Sequence, residues 1–540
     1  MQIIQTTSLE KVLPKYSFTG KNIDKLTVLK GEKASYQIAF KAERRTTVKI
    51  ATNSSIKKNI KLYSVGCVPV NLPTYPDAID DENYITVEPT IMPDILYPIQ
   101  NNEILAEGWF QSLWVSVDEN APVGTHQIEI ELMGNTEKGS ITLYYEVLPI
   151  ELPKQEVIFT EWFHCDCIAS YYKVDMMSKE HWALIEKFIK MASENGVNMI
   201  LTPIFTPPLD TIVGGERPTM QLVKIKKSVK EYTFDFSDLI RWIDMCKKYN
   251  IKYFEMAHLF TQWGAEFTPK IMADVGGEEK RIFGWDIKSD SEEYKEFLSH
   301  FLPALISCLE NAGVSKNTYF HISDEPSAEQ LESYKRAKEV VLPYLKGFKI
   351  MDAMSSYELY ENGIIEHPVV AVDHIEKFCA NNVPDLFGYY CCIQTVGVSN
   401  RFIAMPSRRN RAIAYPIFKY GLSGFLHWGY NFYYSQLSKY EINPFEETSA
   451  GGAFPSGDSF SVYPGEDGPI ASLRLLIFNE ALQDIGVMKV LSDKIGKQRV
   501  IEIIEKYGKV EFSYTPTSDE ILYNIRRDII DCLKQSYMLE

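Results

Sequence analysis

The stretch Asn317-Thr318-Tyr319-Phe320-His321-Ile322-Ser323-Asp324 is a short apolar run that ends in polar side chains. Similar runs occur before and after it, and amphipathic helices lie between several of them. The eight candidate strands are Val157–His164, Val197–Phe205, Ile251–His258, Asn317–Asp324, Gly347–Asp352, Val369–Asp373, Phe387–Cys392 and Gly421–Tyr430. Eight strands that alternate with helices predict a (β/α)8 TIM-type barrel with insertions, and a doubly wound open sheet is the alternative.

Three of the intervening helices have clear signals. Ser178–Asn195 begins with a serine suited to an N-cap and places Ile185 and Phe188 on one apolar stripe. Phe236–Tyr249 and Glu292–Ala312 show a similar pattern. The last two or three helices of the barrel are weak as sequence signals.

The chain before the barrel alternates apolar and polar residues in short segments, such as Ser35–Phe40, Ser112–Val117 and His126–Leu132. This alternation, with turns between the segments, predicts a β-sandwich. Leu148–Pro153 contains two prolines, which predicts a linker. The expected domains are a β-sandwich at 1–150, a barrel at 151–485 and a mainly helical C-terminal appendix at 486–540.

The composition of the 540 residues, 45% hydrophobic and 24% charged, is typical of a globular protein. The net charge of -16 disfavours nucleic acids and acidic membranes as partners, because phosphate binding needs clustered Lys and Arg. No apolar run reaches about 18 residues, so we expect no membrane insertion. The oligomeric state is not predicted by the sequence.

The nine cysteines are an odd number without a regular framework, which predicts reduced thiols. The first residues, Met1–Thr7, contain neither a basic stretch nor an apolar run of signal-peptide type. We therefore expect a cytoplasmic protein, or a secreted one if a leader was removed.

The active site of such a barrel lies at the C-terminal ends of its strands. Aromatic residues at these positions suit a sugar site, because sugar rings present apolar C–H faces to aromatic planes. Trp428 and Tyr430 are expected to share a face by strand alternation. The candidate binding residues are Trp162, His164, His258, Trp263, His321, Asp352, Tyr390, Trp428, Tyr430 and Asn431.

Asp324 and Glu325 are the sharpest chemical signal. Two adjacent carboxyl groups can be held by different surroundings in different protonation states, one ionised and one protonated as an acid. Adjacent side chains on a strand point to opposite faces, so both reach one pocket only where the strand breaks, and Pro326 marks that break. The alternative is helix capping, since Ser327–Gln330 resembles a capping box and acidic residues favour a helix N-terminus.

A metal site is a further alternative. His164, His258 and His321 end separate strands, and Asp352 or Asp373 could join them. The sequence contains no His-x-His or His-Glu-x-x-His pair. We therefore predict neither a metal nor another cofactor.

Four arginines form a basic cluster between the seventh and eighth strands: Arg401, Arg408, Arg409 and Arg411. One of them could clamp a carboxylate or orient a general acid. We expect at least two of them on a solvated helix face.

The run Phe320–Pro326 resembles the catalytic strand of glycoside hydrolase family 123, the β-N-acetylgalactosaminidases and their uncharacterised relatives. Three other stretches fit the same family. They are Met92–Leu96, Gly421–Trp428, and the segment from Gly457 through Pro464 that leads into Ser472–Arg474. The resemblance extends over most of the chain.

This resemblance implies a β-sandwich followed by a catalytic barrel, and a retaining glycoside hydrolase that removes terminal β-linked N-acetylgalactosamine from glycans. The mechanism it implies is substrate-assisted, with the 2-acetamido oxygen of the substrate as nucleophile. Glu325 would be the general acid and then the general base, and Asp324 would orient the acetamido N–H. Trp428 and Tyr430 would pack around the sugar. The choice of N-acetylgalactosamine over N-acetylglucosamine comes from the resemblance alone.

Three other functions stay open. A non-catalytic carbohydrate-binding barrel would need the aromatic residues but not the carboxylate pair. A glycosidase of other sugar specificity would cleave substrates that lack the 2-acetamido group. A metal-dependent hydrolase would lose its activity to a chelator.

Overall fold

The computed structural model describes residues 1–229, 231–326 and 328–538. Its first ten strands form two five-stranded sheets, in the orders β1-β3-β8-β5-β6 and β2-β10-β9-β4-β7. The strands are β1 Gln2–Thr7, β2 Lys25–Lys30, β3 Ala34–Lys41, β4 Thr46–Asn53, β5 Ile60–Val70, β6 Thr90–Pro98, β7 Glu103–Ala106, β8 Gln111–Val117, β9 Gly124–Met133 and β10 Lys138–Glu151.

The two sheets pack face to face. Ile38 and Val115 from the first sheet share one buried core with Ile130 and Val147 from the second. The predicted β-sandwich is confirmed. The pairs within it are antiparallel except β2 with β10.

The predicted linker at Leu148–Pro153 is partly wrong, because β10 continues to Glu151. The register of β10 against β2 shifts between Leu148 and Glu151. This irregularity accommodates Pro149, which has no N–H for the ladder.

Twelve strands follow: β11 Ile158–Glu161, β12 Met199–Thr202, β13 Lys224–Lys227, β14 Tyr232–Asp235, β15 Tyr253–Met256, β16 Ile271–Val275, β17 Glu278–Phe283, β18 Thr318–Phe320, β19 Lys349–Met354, β20 His367–Ala371, β21 Phe387–Tyr389 and β22 Gly424–His427. Eight of them close a parallel barrel in the order β11-β12-β15-β18-β19-β20-β21-β22. All eight predicted strands are present, and the barrel is confirmed.

Two insertions extend the C-terminal end of the barrel. The segment after β12 supplies β13 and β14, and the segment after β15 supplies β16 and β17. These four strands form one sheet in the order β14-β13-β16-β17. A last hairpin pairs β23 Val462–Gly465 with β24 Gly468–Ala471.

The helices are α1 Cys165–Tyr172, α2 Lys179–Glu194, α3 Ser237–Lys248, α4 Glu292–Asn311, α5 Leu331–Val341, α6 Tyr357–Glu361, α7 Glu376–Ala380, α8 Ser407–Arg411, α9 Ala414–Tyr420, α10 Leu473–Ile495, α11 Lys497–Glu505 and α12 Asp519–Met538. Short 3-10 turns lie at Lys57–Asn59, Pro76–Ala78, Ser315–Asn317, Ala328–Gln330 and Gln436–Ser438. The three clearly predicted helices are α2, α3 and α4. The weak signals near the end of the barrel belong to α7, α8 and α9, which, like α6, are too short to show an amphipathic period.

The division expected between residues 485 and 486 falls inside α10, which runs without a break from Leu473 to Ile495. The C-terminal helices also join the sandwich to the barrel. Glu480 of α10 accepts a hydrogen bond from Ser8, and Arg526 of α12 pairs with Glu32 at 2.6 Å. The last helices therefore pack on both of the larger units.

All nine cysteines lie in the described part of the chain and are free thiols. Among the described helices, none has both the length and the apolar character needed to cross a membrane.

Candidate active site

A pocket of about 250 Å³ lies at the C-terminal end of the barrel. It is lined by Trp162, Leu209, Asp210, Gln262, Trp263, Asp324, Glu325, Ala353, Tyr389, Cys391, Cys392, Ile393, Leu426, Trp428, Gln436, Leu437 and Phe454. A larger cavity of about 790 Å³ lies at the opposite end, against Val157, Tyr319 and Phe387. We take the smaller pocket as the candidate site, because barrel enzymes carry their chemistry at the C-terminal ends of the strands.

Asp324 and Glu325 both face this pocket. The regular strand β18 ends at Phe320, so the two carboxyl groups lie on a loop where strand alternation no longer separates them. Glu325 has a left-handed backbone with φ of 41°. Residues other than glycine rarely adopt this backbone conformation, and such strain tends to occur at functional sites.

The loop that carries the pair is braced by the loop after β15. The N–H of Trp263 donates to the carbonyl oxygen of Asp324 at 2.9 Å. The hydroxyl of Ser323 donates to the carbonyl oxygen of Thr261 at 2.8 Å and accepts from the N–H of Ala265 at 3.1 Å. The two loops therefore hold each other in place.

The alternative role, helix capping, does not fit this placement. Helix α5 begins at Leu331, and the 3-10 turn Ala328–Gln330 separates it from the carboxyl pair. Ser327, the serine of the expected capping box, lies outside the described residues. Asp324 and Glu325 are thus pocket residues.

The two carboxyl groups have different surroundings. Glu325 is exposed at the pocket and accepts a 2.5 Å hydrogen bond from the hydroxyl of Tyr389. Asp324 is more buried, and no side chain among the described residues hydrogen-bonds its carboxyl group. Burial, and then the nearby charge of Glu325, raises the pKa of Asp324 well above its usual range.

Asp210 is a third acidic residue in the pocket, on the loop after β12. One of its carboxyl oxygens accepts the N–H of Leu437 at 2.9 Å, and its own N–H donates to Gln262 at 2.6 Å. Burial raises the pKa of Asp210 to about 6. Its charge also adds to the raised pKa of Asp324, so the two carboxyl groups act on each other electrostatically.

Aromatic side chains form the walls. Trp162, Trp263 and Trp428 line the pocket with Phe454, whose ring contacts Trp428 edge-on at 5.4 Å. The indole N–H of Trp428 donates to Asp458 at 2.9 Å. With its N–H satisfied behind the wall, the ring presents a mainly apolar face to the pocket.

A buried charged network supports Trp162. The indole N–H of Trp162 donates to Glu255 at 2.7 Å, and Glu255 also accepts from His321 at 2.6 Å. The other ring nitrogen of His321 lies 3.0 Å from Asp352, which in turn accepts from Tyr334 at 2.6 Å. Burial opposes a charge on His321, but the hydrogen bonds to Asp352 and Glu255 outweigh it and raise its pKa to about 10.

The same region contains the metal candidate. Potential ligand atoms of His258, His321 and Asp352 lie within 4.8 Å of one another. His258 stacks on His321 at 4.3 Å, and neither of its ring nitrogens has a hydrogen-bond partner among the described residues. Because both nitrogens of His321 already contact carboxylates, a protonated His321 has no lone pair for a metal.

Of the ten candidate binding residues, the structure places Trp162, Trp263 and Trp428 at the pocket. His258, His321 and Asp352 belong to the buried network beside it. The remaining four, His164, Tyr390, Tyr430 and Asn431, lie behind the walls. The hydroxyl of Tyr390 donates to Asn410 at 3.0 Å, and that of Tyr430 to the carbonyl oxygen of Phe188 at 2.9 Å.

Trp428 and Tyr430 do not share a face, contrary to the expectation from alternation. Strand β22 ends at His427, so the two-residue period does not continue to Tyr430. Asn431 instead bonds both backbone groups of His164, at 2.9 and 3.0 Å. This pairing holds the loops after the first and last barrel strands together.

The expectation of solvated arginines is wrong. Arg401 pairs with Glu161, Arg409 with Asp81, Arg408 with Asp519, and Arg411 with Glu480 and Asp484. Their side chains are at most 16% exposed. Arginine side chains this buried need carboxylate partners, and every partner here comes from another segment of the chain.

Sequence reasoning missed Tyr389, Asp210 and Phe454 as pocket residues. Tyr389 differs from the predicted Tyr390 by one position, and the inward-facing Phe387 two residues earlier indicates the correct face. Asp210 lies on the irregular loop after β12, well beyond the end of the strand, and no sequence pattern there indicates that it faces the pocket.

A family model described as "Glycoside hydrolase 123, catalytic domain" matches residues 162–491. A family 123 glycoside hydrolase from Clostridium perfringens, described with reference to glycolipid glycan hydrolysis, has a similar structure. Its TM-score is 0.74 at 17% identity, over 100% of this chain and 99% of that one. This similarity shows the fold.

Two other solved structures are much less similar. The β-glucuronidase 3 of Bacteroides uniformis has a TM-score of 0.30 at 9% identity, over 85% of this chain and 50% of that one. The endo-β-1,4-mannanase of Thermotoga petrophila has a TM-score of 0.35 at 11% identity, over 62% and 77%. Such scores support no inference about this chain. No curated protein matches it significantly.

The family match begins at Trp162, the residue after β11, and continues into α10. It therefore includes the carboxyl pair, all three tryptophans of the pocket and every barrel strand except β11. This match covers more than half of the chain and agrees with the barrel and its pocket: the chain belongs to glycoside hydrolase family 123 and is a glycosidase.

Proposed function

We propose that this glycosidase removes terminal β-linked N-acetylgalactosamine from glycans, with retention of configuration and with the 2-acetamido oxygen of the substrate as nucleophile. The observation that carries the proposal is the pair Asp324 and Glu325, adjacent on one loop in a pocket of a size that suits one sugar residue. The choice of N-acetylgalactosamine as the sugar is inferred from the resemblance to the family.

The placement of the pair favours substrate assistance over an enzyme nucleophile. In a retaining enzyme with its own nucleophile, two carboxyl groups flank the anomeric carbon about 5–5.5 Å apart. Adjacent residues on one loop approach a bound sugar from the same side. The second carboxyl group is then suited to hold the acetamido group rather than to attack from the opposite face.

Glu325 is the proposed general acid and base. It is exposed at the pocket, where a glycosidic oxygen and later a water molecule can reach it, and Tyr389 fixes its orientation. In the first step it protonates the leaving oxygen. In the second step it takes a proton from the water that opens the cyclic intermediate.

Asp324 is the proposed partner of the acetamido N–H. Its raised pKa keeps a proton on it in the free enzyme more readily than on an ordinary aspartate. The intermediate of the substrate-assisted route carries a positive charge. That charge lowers the pKa of a neighbouring carboxyl group, so Asp324 ionises where a counter-charge is needed.

Trp428 and Phe454 supply flat apolar surfaces for the sugar ring, and Asp210 supplies a carboxylate for its hydroxyl groups. Asp324 lies close enough to both Glu325 and Asp210 for their charges to raise its pKa. A hexosamine presents its glycosidic oxygen, its acetamido group and its ring hydroxyls in that order around the ring. The three acidic residues can meet these groups in the same order.

The test is the hydrolysis of aryl β-glycosides of N-acetylgalactosamine, N-acetylglucosamine, galactose and glucose. A glycolipid oligosaccharide belongs beside them, because the Clostridium perfringens relative is described with reference to glycolipid glycans. We expect cleavage of the N-acetyl sugars only. Cleavage of galactose or glucose at a similar rate would reject the acetamido mechanism.

Glu325→Gln is the decisive variant. It should reduce the rate roughly 100- to 10,000-fold on substrates with poor leaving groups, as expected for loss of a general acid. Glu329→Gln is the matched control, because it makes the same change at an exposed position in the adjacent 3-10 turn. Equal rates in the two variants would contradict the role of Glu325.

Adding a chelator tests the alternative of a metal-dependent hydrolase. We expect no change in the rate of glycoside hydrolysis. Glycan binding without turnover in every substrate would favour the non-catalytic alternative.

A further inference from the structure

Two adjacent cysteines, Cys391 and Cys392, follow β21 and form part of the pocket wall. Both are free and partly exposed. The thiol of Cys391 donates to the side-chain oxygen of Gln394 at 3.3 Å, and Cys392 is the next residue along the same pocket wall. Two sulfur atoms thus share one small region of the active-site pocket.

The backbone around the pair is held firmly. The N–H of Cys391 donates to Gln394 at 2.9 Å, and its carbonyl oxygen accepts from Asn400 at 2.8 Å. Asp458, which accepts the indole N–H of Trp428 at 2.9 Å, lies close enough to Cys391 for its charge to raise the pKa of that thiol. The bonds of Cys391 fix the start of the loop after β21, and both cysteines line the same pocket as Trp428.

Adjacent cysteines are poorly suited to a direct disulfide. Consecutive Cα atoms are about 3.8 Å apart across a trans peptide. The Cα atoms joined by an ordinary disulfide are about 4.4–6.8 Å apart. An atom that bridges the two sulfurs lets them stay farther apart than in a direct S–S bond, so the Cα atoms need not be at disulfide spacing. Soft elements are suited to this bridge because they prefer sulfur ligands.

We propose that Cys391 and Cys392 form a dithiol site for a soft, thiophilic centre of the trivalent organoarsenical class, and that its occupation blocks the active-site pocket. With phenylarsine oxide, two As–S bonds form and the arsenic–oxygen bond breaks. The two thiol protons leave with that oxygen as one water molecule. Arsenic stays trivalent, so the reaction needs no oxidant.

The remaining cysteines do not offer an equivalent accessible pair. Cys67, Cys308 and Cys532 have some exposure but lie on β5, α4 and α12. Cys379 is buried, and Cys165, Cys167 and Cys246 lie close enough to interact electrostatically but are fully buried. A reagent that needs two neighbouring thiols should therefore select the pocket.

The first measurement is the intact mass of the full-length folded protein after one equivalent of phenylarsine oxide, with a count of free thiols. Wild type should gain one phenylarsenic group and lose two thiols. Cys391→Ser and Cys392→Ser should not gain it, because each retains one thiol of the pair. Cys308→Ser, the control at a partly exposed single thiol, should behave as wild type.

The second measurement is the rate of hydrolysis of whichever aryl glycoside the protein cleaves, each variant relative to its own untreated rate. Treated wild type and Cys308→Ser should lose most of their activity. 2,3-Dimercaptopropanol should restore it and 2-mercaptoethanol should not, since only a dithiol competes for both As–S bonds. The two cysteine-pair variants should keep their untreated rates.

An unchanged mass of wild type, or a gain of mass in both Cys391→Ser and Cys392→Ser, would overturn the site. A gain of mass at the pair without loss of activity would overturn the blocking of the pocket. The mass measurement does not depend on the proposed function. If no glycoside is cleaved, the proposed function fails while the dithiol site is still decided.

Discussion

The hydroxyl of Tyr389 donates a 2.5 Å hydrogen bond to Oε1 of Glu325. Tyr389 ends β21, and Glu325 lies on the loop after β18, so the bond spans the pocket between two strands that are not neighbours in the barrel. Glu325 also has a strained left-handed backbone. The hydrogen bond from Tyr389 therefore fixes the orientation of the Glu325 carboxyl group, whose backbone has a rarely adopted conformation.

Tyr389→Phe should lower kcat and leave KM nearly unchanged, because the lost bond orients Glu325 rather than the substrate. A single hydrogen bond contributes about 0.5–1.5 kcal/mol, which corresponds to a loss of roughly 2- to 10-fold. Steady-state kinetics on an aryl glycoside measures it. Tyr390→Phe is the matched control: its hydroxyl bonds Asn410 in the core, so it should lower stability by about 1 kcal/mol and spare kcat.

Asp324→Asn should inactivate the enzyme and stabilise its fold at neutral pH. The folded protein holds the proton of Asp324 more tightly than the unfolded chain does, because burial disfavours the carboxylate. Above the unfolded pKa of about 3.9, the native state therefore binds more protons, and stability falls as pH rises. The neutral amide removes this penalty.

Thermal unfolding from pH 4 to pH 7 measures the effect. The midpoint of Asp324→Asn should exceed that of wild type at pH 7, on the order of 1–3 °C. The difference should shrink as pH falls towards the unfolded pKa of about 3.9, where the unfolded aspartate also begins to bind a proton. A midpoint at pH 7 equal to or below that of wild type would be inconsistent with a fold that disfavours the ionised form of Asp324.

Asp210→Asn should change the pH profile of kcat/KM. Asp210 has a pKa of about 6, and its ionised form is the better acceptor for sugar hydroxyls. In wild type, kcat/KM should fall as pH drops through about 6. The variant should lack this limb and show a KM raised by roughly 10-fold.

The control for this prediction is Asp373→Asn, which changes a partly exposed aspartate after β20 that does not line the pocket. It should retain the wild-type profile. An unaltered acidic limb in Asp210→Asn would assign that limb to another group.

His321→Gln should destabilise the protein by about 3–5 kcal/mol, because it leaves Glu255 and Asp352 without the cation between them. The folded pKa of His321 is raised to about 10, above the unfolded value of about 6.5. Its contribution is therefore fully present below pH 6.5 and is lost as pH rises through about 10.

Urea unfolding at several pH values tests the role of His321. The difference between wild type and the variant should be largest near pH 6 and should shrink towards pH 10. A difference that does not depend on pH would mean that His321 is neutral in the folded protein.

The strand positions were accessible to sequence reasoning because each barrel strand is a short apolar run bounded by polar residues. The helices between β19 and β22 were not, because α6 to α9 span five to seven residues and show no period. The linker was misjudged at Pro149, where a shift of register lets β10 continue. Local propensity is overridden at these points by pairing with a neighbouring strand.

Asp324, Glu325, Trp162, Trp263 and Trp428 could be assigned to the C-terminal end of the barrel because each follows the end of a strand. The sequence alone also determined the barrel and the family resemblance, since both depend on the order of residues along the chain. Only the tertiary structure decided which strand-end side chains face the pocket. Tyr389 faces it and Tyr390 does not, because adjacent side chains point to opposite faces.

The tertiary structure also brought Asp210 and Phe454 to the pocket from distant loops. Irregular loops carry no period, so their side chains are positioned by contacts with other segments, such as the bond of Leu437 to Asp210. The raised pKa of Asp324 likewise depends on burial and on neighbours far apart in the chain. The proposed catalytic pair, Asp324 and Glu325, could be identified in the sequence, but the environment of these residues exists only in the folded protein.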